Sequence, residues 1–82
     1  MKCVATLTWD DGVWLAQATT ATGEQIGLTL ESGSFDALVE RVKVAVLEML
    51  EANFNYVGGV ELSFVTERTD SLRAISWQPR EA

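Results

Sequence analysis

Residues 34–53 read SFDALVERVKVAVLEMLEAN, and this stretch decides the fold of the chain. No glycine or proline interrupts it, and its apolar residues recur at the three- and four-residue spacing of a helix that buries one stripe. The stripe consists of Phe35, Leu38, Val39, Val42, Val46, Met49 and Leu50. Ser34 is a favourable N-cap, because its hydroxyl can accept a hydrogen bond from an unpaired N–H of the first turn. Asn53 is predicted to end the helix in the left-handed conformation.

Two strands of a hairpin precede the helix, at residues 3–9 and 13–18. Asp11-Gly12 joins the two alternating runs, and this dipeptide favours a type I′ turn, in which both residues have positive φ. A two-residue loop places Trp9 opposite Trp14, and directly opposed residues share a face of the sheet. One face is then apolar throughout and consists of Cys3, Ala5, Leu7, Trp9, Trp14, Ala16 and Ala18. We expect the helix stripe to pack on this face.

A third strand is predicted at residues 25–31 and a fourth at 60–67, since both stretches alternate apolar and polar residues. Gly27 lies within the third strand, where a glycine marks a bulge, a close neighbour or, as the preferred interpretation, a residue that is merely tolerated. Residues 68–82 are predicted to form an edge strand or an arm. The element order β-β-β-α-β predicts one α+β domain over residues 1–82, a two-layer sandwich of an antiparallel sheet with one helix on one face.

The composition indicates a small acidic protein without covalent or metal staples. The formal net charge of −6 disfavours direct binding to nucleic acid and makes a small basic protein the easier partner. One cysteine and no histidine allow no intramolecular disulfide and no imidazole ligand for a metal. No apolar run is long enough for a signal peptide or a membrane span, so we expect a cytoplasmic protein. A chain this short buries only about 60% of its unfolded surface, so we expect a homo-oligomer, either a dimer or a tetramer.

No arrangement of reactive residues predicts catalysis. Nucleophilic catalysis needs a base beside the nucleophile, and the lone thiol of Cys3 lies within a strand, where it is interpreted as a small core residue. No phosphate-binding loop, dinucleotide fingerprint or zinc spacing occurs in the sequence. Carboxylates such as Asp10, Glu61 and Glu67 would suit a divalent-metal nuclease, but the helix carboxylates are predicted to face solvent, away from the sheet. We therefore predict a non-enzyme without catalytic residues, metal ligands or cofactors.

Apolar residues outside the predicted core indicate a contact surface. Some lie on the second face of the hairpin, others lie off the helix stripe, and one lies near the end of the sequence. For the five aliphatic residues the alternative is an ordinary exposed side chain, and for the tryptophan near the end of the sequence the alternative is that it caps the core. The predicted interface residues are Val4, Val13, Leu15, Val44, Leu47 and Trp77.

The run LTWDDGVWLA (residues 7–16) resembles the first hairpin of HicB-like antitoxin domains and of a related small stand-alone family of unknown function. The likeness continues in order through ESGSFDAL (31–38), VELSF (60–64) and ERT (67–69), and covers about residues 3–70. It implies a partial RNase H-like fold without catalytic residues, oligomerisation, and neutralisation of a small basic RNA-cleaving toxin. The chain departs from the antitoxins at residues 20–23, where a Pro-Gly motif often stands. It also departs from them in that no C-terminal DNA-binding module is expected.

Three hypotheses of function follow. The leading one is a non-enzymatic protein-interaction module that self-associates. The second is an antitoxin-like protein that neutralises a small basic RNA-cleaving toxin, and the third is a divalent-metal nuclease.

Overall fold

The chain forms four strands and one helix in a computed structural model that describes residues 1–68 and 72. In chain order the elements are β1 (Lys2–Asp10), β2 (Val13–Thr20), β3 (Gln25–Ser32), α1 (Phe35–Phe54) and β4 (Glu61–Arg68). This order and the α+β class are as predicted. The predicted edge strand or arm covers residues 68–82. Of these, Arg68 ends β4 and Leu72 is also described, whereas the others, including Trp77, lie outside the described residues.

The β1–β2 hairpin has the predicted turn and register. Asp11 and Gly12 both have positive φ, 49° and 92°, as a type I′ turn requires. Trp9 pairs with Trp14, and the pairing continues without a shift to Cys3 opposite Thr20. Because side chains alternate along a strand, this register places the small apolar residues of both strands on one face.

The sheet is mixed rather than wholly antiparallel, which corrects the prediction for β4. The strand order is β3-β2-β1-β4, and β4 runs parallel to β1. The helix of 20 residues is about 30 Å long and returns the chain to the end of the sheet where β3 began. A strand that follows such a crossover runs in the same direction as the strand before it, so β4 runs parallel to β3. Because β3 is antiparallel to β2 and β2 is antiparallel to β1, β3 and therefore β4 run parallel to β1.

The core lies between the sheet and α1. The predicted stripe faces inward, with Leu38, Val42, Val46 and Leu50 buried. Facing them from the sheet are Cys3, Ala5, Leu7, Ala16, Ala18, Ile26 and Leu28. Small residues at the centre of β1 and β2 let the helix approach the sheet closely.

The start of α1 is as predicted, and its end is not. Ser34 caps the first turn by accepting a hydrogen bond from the Ala37 N–H at 3.2 Å. The left-handed residue that ends the helix is Asn55, with φ 52°, whereas Asn53 remains helical. The Asn53 amide instead donates to the Ile26 carbonyl at 2.8 Å, which ties the helix end to β3.

Gly27 allows that contact, so its interpretation as a merely tolerated glycine is wrong. Its φ is +93°, and a Cβ at this position would lie 2.8 Å from Nδ2 of Asn53. The β2–β3 register shifts between Gln17 and Thr19, opposite this part of β3. The glycine therefore marks both a bulge and a close approach of the helix.

Candidate interaction surfaces

The inner face of β4 is only half covered, because α1 lies across β3 and β2 rather than over the whole sheet. Leu62 and Phe64 are half-buried there, and Leu47 on the near flank of α1 is 52% exposed. A groove of about 180 Å³ separates the two elements and is lined by Lys43, Val46, Leu47, Val60 and Leu62. We call Leu47, Val60, Leu62 and Phe64 the apolar strip.

Leu47 also borders a second groove at the C-terminal end of α1. This groove measures about 190 Å³, and Tyr56 and Val57 form its other wall. Val57 is 79% exposed. The Tyr56 hydroxyl donates to the Gly59 carbonyl at 2.7 Å, and this bond holds the loop in a fixed shape beside the strip. The exposed aliphatic surface therefore continues from β4 to the loop that precedes it.

A third groove lies on the opposite flank of α1, beside β3. It measures about 440 Å³ and is lined by Leu30, Glu40, Arg41, Val44, Ala45 and Glu48. Val44 is 57% exposed at its rim. Arg41 reaches down to donate to the Glu31 carbonyl at 3.0 Å, and Lys43 pairs with Glu40 at 2.8 Å. This groove combines an apolar floor with carboxylates at its edge.

The structure does not bring together the five predicted interface residues that it describes. Val4, Val13 and Leu15 are half-buried on the face of the sheet away from α1. Val4 pairs with Thr19, whereas Leu15 pairs with Thr8. The two are therefore about 13 Å apart along the hairpin, at roughly 3.3 Å per residue. Val44 and Leu47 line grooves on opposite flanks of α1. Trp77 lies outside the described residues, so its role in an interface stays a prediction.

Of the apolar strip, the sequence analysis included only Leu47 among the contact residues. It placed Val60, Leu62 and Phe64 on an inward face. An alternating strand indicates which side chains share a face, but it carries no information on how far a helix covers that face. The same limit applies to Val65, which is 44% exposed on the open face of β4.

Three aromatic side chains pack in series at the end of the hairpin. The Trp9 and Trp14 rings meet edge to face at a centroid distance of 5.3 Å, and Trp14 meets Phe35 in the same way at 5.0 Å. The Arg68 guanidinium lies 5.5 Å from the centre of the Trp9 ring. All three rings are half-buried, and they join the start of α1 to the hairpin. This arrangement is a structural contact between elements.

Reactive side chains within residues 1–68 and 72 were compared with the needs of catalysis and metal binding. Cys3 is buried, and burial raises the pKa of its thiol above the ordinary value of 9.0, so it is a poor nucleophile at neutral pH. In residues 1–68 and 72, no three His, Cys, Asp or Glu side chains lie close enough together to hold a metal ion. Within the same residues, α1 is too polar to qualify as a membrane-spanning helix.

Comparison with known proteins gives one family. Neither a curated protein nor a solved structure shows significant similarity to the chain. The family described as Domain of unknown function (DUF1902) matches residues 2–76. That match takes in the hairpin, the helix and all of β4, together with the apolar strip. The chain therefore belongs to this small family of unknown function, DUF1902.

Proposed function

We propose that the chain is a cytoplasmic, non-enzymatic protein-interaction module that associates with copies of itself. The observation that carries this proposal is the half-covered inner face of β4 beside the exposed Leu47. An apolar surface that a small fold leaves open is typical of a contact with another protein. The single cysteine, which is buried and cannot form an intramolecular disulfide, suits a reducing compartment.

The energetics support an association at this surface. Burying a large aliphatic side chain contributes about 1.5–3 kcal/mol. A chain of 82 residues has little stability to spare, so covering the strip in a partner interface stabilises both the fold and the complex.

Sedimentation velocity at micromolar concentrations tests the proposal. The wild-type chain is expected to sediment as a dimer or larger species. Leu47→Glu is expected to weaken association at least about tenfold, because a charge desolvated in the contact costs more than ~1.4 kcal/mol. Ala37→Glu adds the same charge at an exposed position in the first turn of α1 and is the matched control. A wild-type chain that stays monomeric at about 100 μM, where a 1 μM complex would be almost fully formed, contradicts the proposal.

A second candidate is an antitoxin-like protein of the HicB-like superfamily that neutralises a small basic RNA-cleaving toxin. The third groove, beside β3, favours it, because the Glu48 carboxylate stands at the edge of an apolar floor, whereas Glu40 is paired with Lys43. Basic side chains flanking an apolar segment would complement both features, and opposite charges speed the encounter. The resemblance of residues 7–16 to the antitoxin hairpin supports the same candidate.

Calorimetry with a small basic RNA-cleaving protein encoded next to this chain tests the second candidate. Micromolar or tighter binding that abolishes RNA cleavage is expected. Glu48→Lys should weaken the binding, while Glu24→Lys, which makes the same charge change in the β2–β3 turn, should not. Unchanged RNA cleavage in the presence of excess chain contradicts this candidate.

A further inference from the structure

The two edges of the sheet differ. At the β3 edge, helix side chains already occupy strand carbonyls: Arg41 donates to Glu31 at 3.0 Å and Asn53 donates to Ile26 at 2.8 Å. The bulge at Gly27, with φ +93°, also bends this edge. Such contacts and bulges are ways in which proteins prevent another strand from pairing with an edge.

The β4 edge has no such protection within residues 1–68 and 72, where β4 is the outermost strand. The Glu61 N–H donates to the Met1 carbonyl at 2.8 Å, so residue 61 directs its backbone groups towards β1. Backbone groups alternate in direction along a strand, so residues 63, 65 and 67 also face β1. The N–H groups of Leu62, Phe64 and Thr66 therefore point away from the sheet.

We propose that β4 pairs antiparallel with β4 of a second copy, so that one sheet continues across a two-fold axis. This inference rests on the proposed self-association and names the surface that carries it. Two-fold symmetry requires a self-complementary contact, and the apolar strip meets that requirement. In the joined sheet the strips of both copies lie on the same face, one on either side of the axis, and Phe64 of each copy is the part of the strip nearest the axis.

The charges on β4 select the register of this pairing. One long register pairs residues 61–67 of each strand and sets Glu61 directly opposite Glu67 twice, which is unfavourable. The alternative pairs residues 62–68 and sets Glu67 opposite Ser63. It places Val65 opposite Val65 of the second copy on the axis, and no carboxylate faces another. The outward N–H groups of Phe64 and Thr66 then bond across the interface.

A disulfide on the axis tests the register. The two Val65 positions form a non-hydrogen-bonded pair, in which the Cβ atoms are close enough for a disulfide. The full chain carrying Val65→Cys is expected to form a covalent dimer under mild oxidation. Thr29→Cys, on the exposed face of β3 at the other edge, is expected to stay largely uncrosslinked. Cys3 is buried and present in both variants, so it does not bias the comparison.

A matched pair of proline variants tests the edge. Thr66→Pro removes an outward N–H from β4 but leaves the hydrogen bonds between β4 and β1. It is expected to weaken the dimer at least about tenfold, since interface hydrogen bonds and strand geometry are lost. The Glu31 carbonyl points outward, so Thr29, two residues away on β3, does too. Thr29→Pro is therefore the corresponding change at the other edge and should leave the dimer intact.

The outcomes separate this inference from the function on which it rests. A wild-type monomer overturns both. A wild-type dimer that Thr66→Pro does not weaken, and in which Val65→Cys crosslinks no better than Thr29→Cys, overturns the β4 pairing but leaves self-association standing. Circular dichroism of each variant ensures that loss of the dimer is not loss of the fold.

Discussion

Replacing Gly27 with alanine tests the contact that ties α1 to the sheet. The position has φ +93°, and the added Cβ would lie 2.8 Å from Nδ2 of Asn53. Two separate penalties follow. One comes from the backbone conformation and the other from the displaced amide of Asn53.

The change in the free energy of unfolding is the sum of these two penalties and one compensating gain. A side chain in the left-handed region costs about 1–2 kcal/mol, because its Cβ crowds the following carbonyl. Displacing the Asn53 amide breaks its hydrogen bond of 2.8 Å to the Ile26 carbonyl. Such a bond contributes about 0.5–1.5 kcal/mol. The lower entropy of the unfolded alanine chain offsets about 0.4–1 kcal/mol. The net loss is about 2 kcal/mol, and Tm should fall by about 8–16 °C for a domain of this size.

Urea unfolding followed by far-UV circular dichroism measures this loss. Gly33→Ala is the matched control, because its Cβ would meet no atom within 4 Å and its φ is not positive. That variant should be as stable as the wild type or slightly more stable.

A double-mutant cycle separates the two penalties. In an Asn53→Ala background the clash is gone, so Gly27→Ala should cost about 1 kcal/mol less than in the wild type. The reasoning is refuted if Gly27→Ala is as stable as Gly33→Ala. It is also refuted if the cost of Gly27→Ala is unchanged when Asn53 is removed.

Three further predictions concern the core and the aromatic contacts. Val42→Asp should unfold the domain, since it buries an unpaired charge beneath α1. Val44→Asp, at a side chain that is 57% exposed, should remain folded. Circular dichroism distinguishes the two, and a folded Val42→Asp variant would contradict the position of the buried helix face. Burial raises the pKa of the Cys3 thiol above 9.0, so the contribution of this thiol to stability is complete below about pH 9 and is lost as pH rises through the raised pKa. In urea titrations above that pH, Cys3→Ala should lose less stability than the wild type. Equal losses would refute the raised pKa of Cys3. Trp14→Ala removes two edge-to-face contacts and should lower the free energy of unfolding by about 2–3 kcal/mol, less than the ~3–5 kcal/mol of a fully buried tryptophan. Trp14→Phe should retain part of the packing and lose less. Equal stabilities of the two variants would count against the contribution of the aromatic contacts.

The candidate surfaces were only partly predictable. Alternation along residues 60–67 correctly indicated that Leu62 and Phe64 share the helix side of the sheet, and helical spacing correctly indicated that Val44 and Leu47 lie off the buried stripe. The extent to which α1 covers β4 depends on where α1 lies across the sheet, which is a relation between elements distant in sequence. The open-face residues Val4 and Leu15 share a face, as predicted, but they lie at different ends of it.

The sequence alone determined the features that arise from neighbours in the chain. The Asp11-Gly12 turn sets the hairpin register because both residues adopt positive φ, and the apolar spacing from Phe35 to Leu50 sets the face that α1 buries. Only the tertiary structure decided the parallel pairing of β4 with β1, the approach of Asn53 to Gly27 and the half-covered strip. These depend on the path of the crossover helix, which is set by packing between residues far apart in the sequence, and local patterns do not encode it.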